Sequence, residues 1–460
     1  MFEKRNVLGS SLHTMREGLA QSSPCARNVI TGALAAVAMG ISISAMASAP
    51  VDNAELNPTS WMQGSPPSPD ASITLDNGGF VYPKNRWSFS NMRRLMPSAN
   101  VWRGDGQPSP LVRSQHISSP IGDVTFADLN GVRHKFSDLM QVTDADGIIV
   151  LHKGKVVYEE YAGVLKSEMP HAVMSVTKSI VGTIAAMLVE DGRLDADAQV
   201  TQYVPELAGS AFDGATVRQV MDMTIGVQYS EQYSDPSAQI WAYFRAAGVI
   251  KRPDGYVGPT NLYDFLKTLK RNGEHGAAFA YKTPDAEVLG WIIKRSTGRP
   301  LSELVSAMIW QPMGAQDDAY FDVDSQGTEC AGGGFNATLR DLARFGEVMR
   351  NEGRYNGRQI VPARVVAEIR GGGDRGKFAM AGFKTLPGWS YKDMWWVSGD
   401  DHGAYEARGI FGQAIYVDPE AEMTIVRLAS TKLPANGAND WITLPAFRAV
   451  GEFLMAAKSE

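Results

Sequence analysis

The chain has 460 residues, 44% hydrophobic and 20% charged, with 44 basic against 50 acidic side chains and a formal charge of −6. These are globular values, which exclude a disordered, collagen-like or coiled-coil chain. The acidic balance argues against a nucleic-acid surface, because phosphate binding needs a basic field. Two cysteines, Cys25 and Cys330, can build neither a zinc cluster nor a disulfide framework.

At the N-terminus, Lys4, Arg5, Arg16 and Arg27 precede an apolar run over residues 29–44, which ends in Ala45-Met-Ala47. A basic region, a short apolar region and a small-x-small site describe a secretory signal peptide. The run is also about as long as a marginal membrane span, but it is rich in Ala, Gly and Ser and ends in a cleavage pattern. Residues 1–47 are therefore read as a leader cleaved near Ala47. That predicts a secreted or periplasmic protein with no stable membrane insertion after cleavage. Cys330 would then be the one thiol left, expected as a buried small hydrophobe rather than a nucleophile.

Residues 48–120 are rich in Pro, Ser, Asn and Gly. They predict an extended lead segment draped over the body and pinned by Trp61, Trp87, Phe89 and Trp102. The main domain is placed at 121–460. Within it, Ile148–Tyr161 is two β-rich runs joined by Lys153-Gly154, a hairpin of antiparallel sheet. From Ser175 a helix is predicted. Val176, Ile180, Val181, Ile184, Met187 and Leu188 recur at helical spacing, and Gly192 stands where a C-terminal cap belongs.

Residues 200–320 read as helix and loop, with helices near 261–271, 284–297 and 300–312. Another amphipathic helix covers 338–349. Strands return at 412–417 and 423–428 around the Asp418-Pro-Glu-Ala turn, and a last helix lies around 441–457. Sheet at both ends with helices between predicts a discontinuous α/β lobe, about 121–190 and 320–460, with a helical lobe inserted at 191–319. The middle lacks the β-α alternation that a parallel dinucleotide-binding sheet needs.

Ser175-Val-Thr-Lys178 opens the apolar helix. Residues three apart share a helix face, so the amine lies beside the hydroxyl. A serine hydroxyl needs a base to take its proton, and a desolvated lysine can serve. The Ser175 amide, at a helix N-terminus, points where an oxyanion would form. The same string also fits a capped helix carrying a surface lysine. Tyr281-Lys-Thr283 precedes another helix, and a tyrosine near an ammonium can have a lowered pKa and relay a proton. Gly409-Ile-Phe-Gly-Gln413 leads into a β-run whose edge can supply a second oxyanion N–H.

These three signals in this order resemble the serine β-lactamase-like family, the group of class C β-lactamases, esterases and D-alanyl-D-alanine peptidases. Asn85-Arg-Trp-Ser-Phe, Met174–Ser179, Val200–Leu207, Tyr229–Tyr233, Val288–Trp291, Asp341–Arg344, Trp395-Trp396 and Gly409–Gln413 carry the likeness over residues 80–456. Within the family it is greatest to the aminohexanoate-dimer hydrolase and carboxylesterase branch. The resemblance implies an α+β, β-lactamase/transpeptidase-like fold: an antiparallel sheet flanked by helices, with an inserted all-helical lobe. It implies Ser175 as acylated nucleophile, Lys178 as base, Tyr281 as proton relay, and the Ser175 and Ile410 amides as oxyanion hole. Tyr233 matches a tyrosine that binds the substrate amide. No cofactor and no metal are implied.

Departures from the family narrow the substrate. Thr283 stands where an Asn is usual, and no Lys-Thr-Gly precedes the oxyanion strand; the nearest string is His402–Arg408. This speaks against β-lactam hydrolysis and peptidoglycan trimming, the main rival activities, and leaves Glu406 and Arg408 as candidate substrate groups. Thr283, His402 and Trp396 are further candidate cleft residues. None of the seven histidines lies in a Gly-x-Ser-x-Gly or His-Glu-x-x-His context, so an α/β-hydrolase triad and a zinc protease lack their motifs. The expected partner is a small ester or linear amide, cleaved through an acyl-enzyme. A non-catalytic ligand-binding relative is the remaining alternative, and it would usually have lost the serine, lysine or tyrosine.

Overall fold

The apolar run of the hairpin forms the strand Ala145–His152, buried from Ala145 to Leu151, and it pairs antiparallel with the fully buried strand Met423–Ala429. Both are β-branched-rich and covered on both faces, which is why neither shows a polar face in sequence. The computed structural model describes residues 58–114 and 121–456. The leader predicted at 1–47 lies outside the described residues. Among those described, no helix is long and apolar enough to cross a membrane.

Around that central pair a seven-stranded antiparallel sheet runs in the order Ser390–Lys392, Trp395–Val397, Tyr405–Gly409, Gln413–Asp418, Met423–Ala429, Ala145–His152 and Lys155–Tyr161. The pleat sends alternate side chains to opposite faces. Ile148, Val150 and Ile425 pack with Ile442, Phe447 and Val450 of the last helix, Gly437–Ala456. Ile149, Leu151 and Val426 pack on the other face with Leu342 and Phe345 of the helix Leu339–Arg350 and with Ile180 and Ile184 of the helix Val176–Glu190. Each such side chain contributes roughly 1.5–3 kcal/mol on burial.

The helix Val176–Glu190 is buried along every residue from Val176 to Leu188. It passes so close to the sheet that a Cβ at Gly182 would collide with the Asp393 carbonyl. After Asp191, Gly192 adopts φ 70°, the left-handed turn that ends the helix. The region 200–310 is built of helices Val200–Tyr203, Val217–Met221, Gln239–Ala247, Leu262–Thr268, Thr283–Thr297 and Leu301–Val305.

A second sheet, not anticipated from sequence, orders Ser98–Val101, Ala319–Asp322, Phe335–Ala337 and His171–Ala172. Its strands are two to four residues long, too short to leave a pattern. Through it the N-terminal segment adds a strand to the body. Trp61, Trp87 and Phe89 are buried, but Trp102, expected as a fourth anchor, is 47% exposed. Its backbone holds instead: the Trp102 carbonyl accepts from Ser306 Oγ at 2.6 Å.

Candidate active site

Ser175 sits where the strand His171–Ala172 turns into the buried helix. Met174 makes that turn at φ 48°, a left-handed conformation that costs a non-glycine residue about 1–3 kcal/mol. Lys178 Nζ donates to Ser175 Oγ at 2.8 Å and also to the Gly332 carbonyl. Because its helix runs through the interior, Lys178 is only 1% exposed. Burial lowers its pKa to about 8, against the opposing pull of Glu231, Glu287 and Asp285. Lys178 is thus not the surface lysine of a merely capped helix.

Tyr281 completes the group. It stands beside the Ser175 side chain, and Lys178 Nζ lies 5.1 Å from its ring centre. The sequence reading allowed a lowered phenol pKa here. The structure reverses the direction: burial, reinforced by the Glu231 carboxylate, holds Tyr281 above the ordinary tyrosine range. The phenol therefore stays protonated and acts as a donor, leaving Lys178 as the group that can accept a proton. Strand alternation separates the two tryptophans. Trp396 packs on Tyr281 with ring centres 5.2 Å apart, whereas Trp395 is fully buried and donates to Thr183 Oγ1 at 3.1 Å.

The edge of the strand Tyr405–Gly409 lies against Ser175. A Cβ at Gly409 would stand 2.5 Å from the Val173 carbonyl and 3.0 Å from the Ser175 amide nitrogen, so only glycine fits. Ile410 follows, and Phe411 turns the chain at φ 61°. In the hydrogen-bond network of the described residues, neither the Ser175 nor the Ile410 amide donates to a protein acceptor. Both belong to residues lining the cleft beside the hydroxyl.

Three carboxyl groups surround this centre, and sequence reasoning assigned none of them. Glu231 accepts from the Thr283 amide and lies beside Tyr233. Glu287 accepts from Tyr243 Oη at 2.7 Å, Gly332 N at 2.8 Å and Ala331 N at 3.0 Å. It thereby fixes the loop whose Gly332 carbonyl holds Lys178, and burial pushes its carboxyl up to about 7. Asp285 is fully buried, and burial pushes it well above the ordinary carboxyl range. For Asp285 and Glu287 the available signal was acidic residues within the apolar first three turns of the helix Thr283–Thr297, whose residues from Thr283 to Ile293 are all buried.

Two cavities meet at Ser175, and Tyr233 and Ile410 also line both. The inner one has a cavity volume of about 50 Å³, and Thr283 lines it. The outer cleft, with a cavity volume of about 570 Å³, includes Tyr281, Trp396, Arg408 and Lys384. Arg408 reaches this cleft, whereas Glu406 stands behind it, 3.5 Å from Arg408 Nε. His402, expected as a cleft residue, lines neither cavity. It lies beyond the other end of the Tyr405–Gly409 strand, a separation of about 13 Å of strand alone. There it is buried, with Nδ1 2.6 Å from Asp418 Oδ2.

The beta-lactamase family model matches residues 132–446. A 6-aminohexanoate-dimer hydrolase from Paenarthrobacter ureafaciens is 36% identical over 351 residues, covering 76% of this chain and 86% of its own. Esterase EstB from Burkholderia gladioli is 26% identical over 198 residues, 39% of this chain and 47% of its own. A solved Bacillus anthracis protein, provisionally described as a 6-aminohexanoate-dimer hydrolase, superposes with a TM-score of 0.76 at 30% identity, covering 84% of this chain and 97% of its own. The chain belongs to the beta-lactamase family and is an enzyme of its serine-hydrolase type.

Proposed function

We propose that this serine hydrolase cleaves a small ester or linear amide through an acyl-enzyme on Ser175. The carrying observation is the 2.8 Å contact between Lys178 Nζ and Ser175 Oγ, with Tyr281 beside the same side chain. Neutral Lys178 takes the proton as Ser175 Oγ bonds to the carbonyl carbon. The Ser175 and Ile410 amides receive the oxyanion, where preorganised donors are worth most. Tyr281 passes a proton to the departing alkoxide or amine and is reprotonated from Lys178. Water then attacks the ester by the reverse route, giving its proton to Lys178 and releasing the acid.

The linear-amide reading rests on the likeness to the 6-aminohexanoate-dimer hydrolase, and the ester reading on the esterase relative. On this reading Tyr233, which lines both cavities beside Glu231, is the contact to the scissile amide or ester. Secretion to the periplasm or beyond rests on the leader pattern of residues 1–47 alone.

The test is turnover by residues 48–460 and by their Ser175→Ala variant of three substrates: p-nitrophenyl acetate, a linear 6-aminohexanoate dimer and a chromogenic cephalosporin. Ester or linear-amide turnover that vanishes in the variant supports the proposal. Turnover of the cephalosporin alone overturns the substrate class. Absence of turnover, together with no fluorophosphonate labelling of Ser175, overturns the mechanism.

A further inference from the structure

Two chain segments flank the mouth of the outer cleft, and both leave apolar side chains in water. The first, 375–387, is the short helix Arg375–Ala379 and the loop after it, of which Gly382 to Leu386 line the cleft. The second is 430–439, of which Ala435, Asn436 and Gly437 line it. Thr385 Oγ1 donates to Asp440 Oδ2 at 2.7 Å, which ties the first segment to the last helix. The Phe411 amide donates to the Pro434 carbonyl at 2.8 Å, which ties the second to the turn after Ile410.

Phe378 is buried and anchors the short helix, but Met380, two residues on, is 68% exposed. Phe383 is 39% exposed although its ring packs on Trp396, with centres 5.4 Å apart, and Leu433 is 59% exposed. Single exposed apolar residues are ordinary; three at the rim of one cleft mark a contact surface. The charges among them have one sign. Residues 375–387 carry Arg375, Lys377 and Lys384 and no acidic residue, and residues 430–439 carry Lys432 and no acidic residue. Arg375, Lys384 and Lys432 are exposed. The chain as a whole has a formal charge of −6, so this basic rim runs against the balance of the rest. The carboxylates that bound the two segments are occupied: Asp374 caps the short helix through the Lys377 amide, and Asp440 is buried against Arg408.

Basic and apolar side chains interleaved on one surface suit the boundary of an anionic lipid layer. The apolar groups enter the edge of the acyl region and the cations meet headgroup phosphates. A second copy of the chain would bring the same cations and be repelled. A folded protein seated on the rim would close the cleft it surrounds, whereas a fluid layer would feed it. We therefore infer that the mouth of the outer cleft docks on an anionic lipid surface, with Met380, Phe383 and Leu433 in the acyl boundary and Arg375, Lys384 and Lys432 on the headgroups. The substrates this admits are esters or amides dissolved in the lipid, a consequence that rests on the hydrolase reading above; the docking itself does not.

Co-sedimentation with vesicles tests the docking. The protein is residues 48–460, which contain every described element and lack the apolar run 29–44, itself able to enter lipid. The probes are vesicles of phosphatidylglycerol and phosphatidylcholine in equal parts, and vesicles of phosphatidylcholine alone. The expected result is binding to the mixed vesicles, about tenfold weaker binding to phosphatidylcholine alone, and release as salt rises. Two double variants change the rim outside the cleft lining: Met380→Ser with Leu433→Ser, and Arg375→Glu with Lys432→Glu. Each should weaken binding to the mixed vesicles about tenfold or more, with circular dichroism and p-nitrophenyl acetate turnover unchanged. Turnover of p-nitrophenyl palmitate carried in those vesicles should fall in step with binding. No binding to the mixed vesicles, equal binding to both vesicle types, or binding that both variants leave intact overturns the docking. Intact binding by a parent that turns over neither ester overturns the hydrolase reading instead and leaves the docking in place.

Discussion

Gly409 abuts Ser175 so closely that a Cβ at 409 would lie 3.0 Å from the Ser175 amide nitrogen. The contact joins two segments more than two hundred residues apart and sets the Ile410 amide beside the Ser175 amide. Gly409→Ala should force the strand away, because its Cβ would also stand 2.5 Å from the Val173 carbonyl, a backbone atom that cannot turn aside. With one oxyanion donor displaced, kcat should fall about 10²–10³-fold. Overpacking should cost about 1–3 kcal/mol of stability. Steady-state kinetics and urea unfolding of the same preparation check both effects; full kcat in a folded variant would remove Ile410 from the oxyanion role.

Lys178 acts as a base only when neutral, and burial lowers its pKa to about 8. Below that pH the neutral fraction falls tenfold per unit. The pH profile of kcat/KM should therefore rise with pH and level off above about 8. Glu287 opposes the lowering, so Glu287→Gln should move the midpoint to lower pH while the amide still accepts from the Gly332 loop. A midpoint that stays in place would reduce Glu287 to a purely structural brace. Lys178→Arg should not restore activity, because a guanidinium stays charged at every pH tested.

Tyr281 is held above the ordinary tyrosine range, so its value to the reaction lies in the proton it carries. Tyr281→Phe should penalise substrates by how badly their leaving group needs that proton. An amine must be protonated to depart, whereas p-nitrophenolate leaves as the anion. A loss of about 10²–10⁴-fold is expected for a linear amide, with a far smaller loss for a p-nitrophenyl ester. Equal losses on both would place Tyr281 in binding or in activation of Ser175 instead.

His402 and Asp418 form a buried pair 2.6 Å apart, away from both cavities. Removing the imidazole leaves a buried carboxylate short of one partner, although Ala421 N still donates to it at 2.9 Å. His402→Ala should therefore cost about 1–3 kcal/mol in chemical denaturation and leave kcat/KM within twofold of the parent. A specific loss of activity at full stability would return His402 to the catalytic site.

What the sequence determined by itself is local in origin. Ser175 and Lys178 meet because residues three apart share a helix face. The hairpin around Lys153-Gly154 and the paired strands before and after Asp418 follow from dense β-branched runs separated by turn residues. The order of the serine, tyrosine and glycine motifs was sufficient to identify the family. Only the tertiary structure decided the rest. The smaller sheet has strands of two to four residues, below the length at which alternation shows. His402 had chemistry that suits a cleft, but the strand Tyr405–Gly409 carries it to the far end. The ionisation of Tyr281 and Lys178 was likewise invisible, because desolvation is imposed by every element packed around a group. Glu231 then acts on both through space, and Glu287, from a separate segment, acts on Lys178, where sequence separation has no bearing on distance.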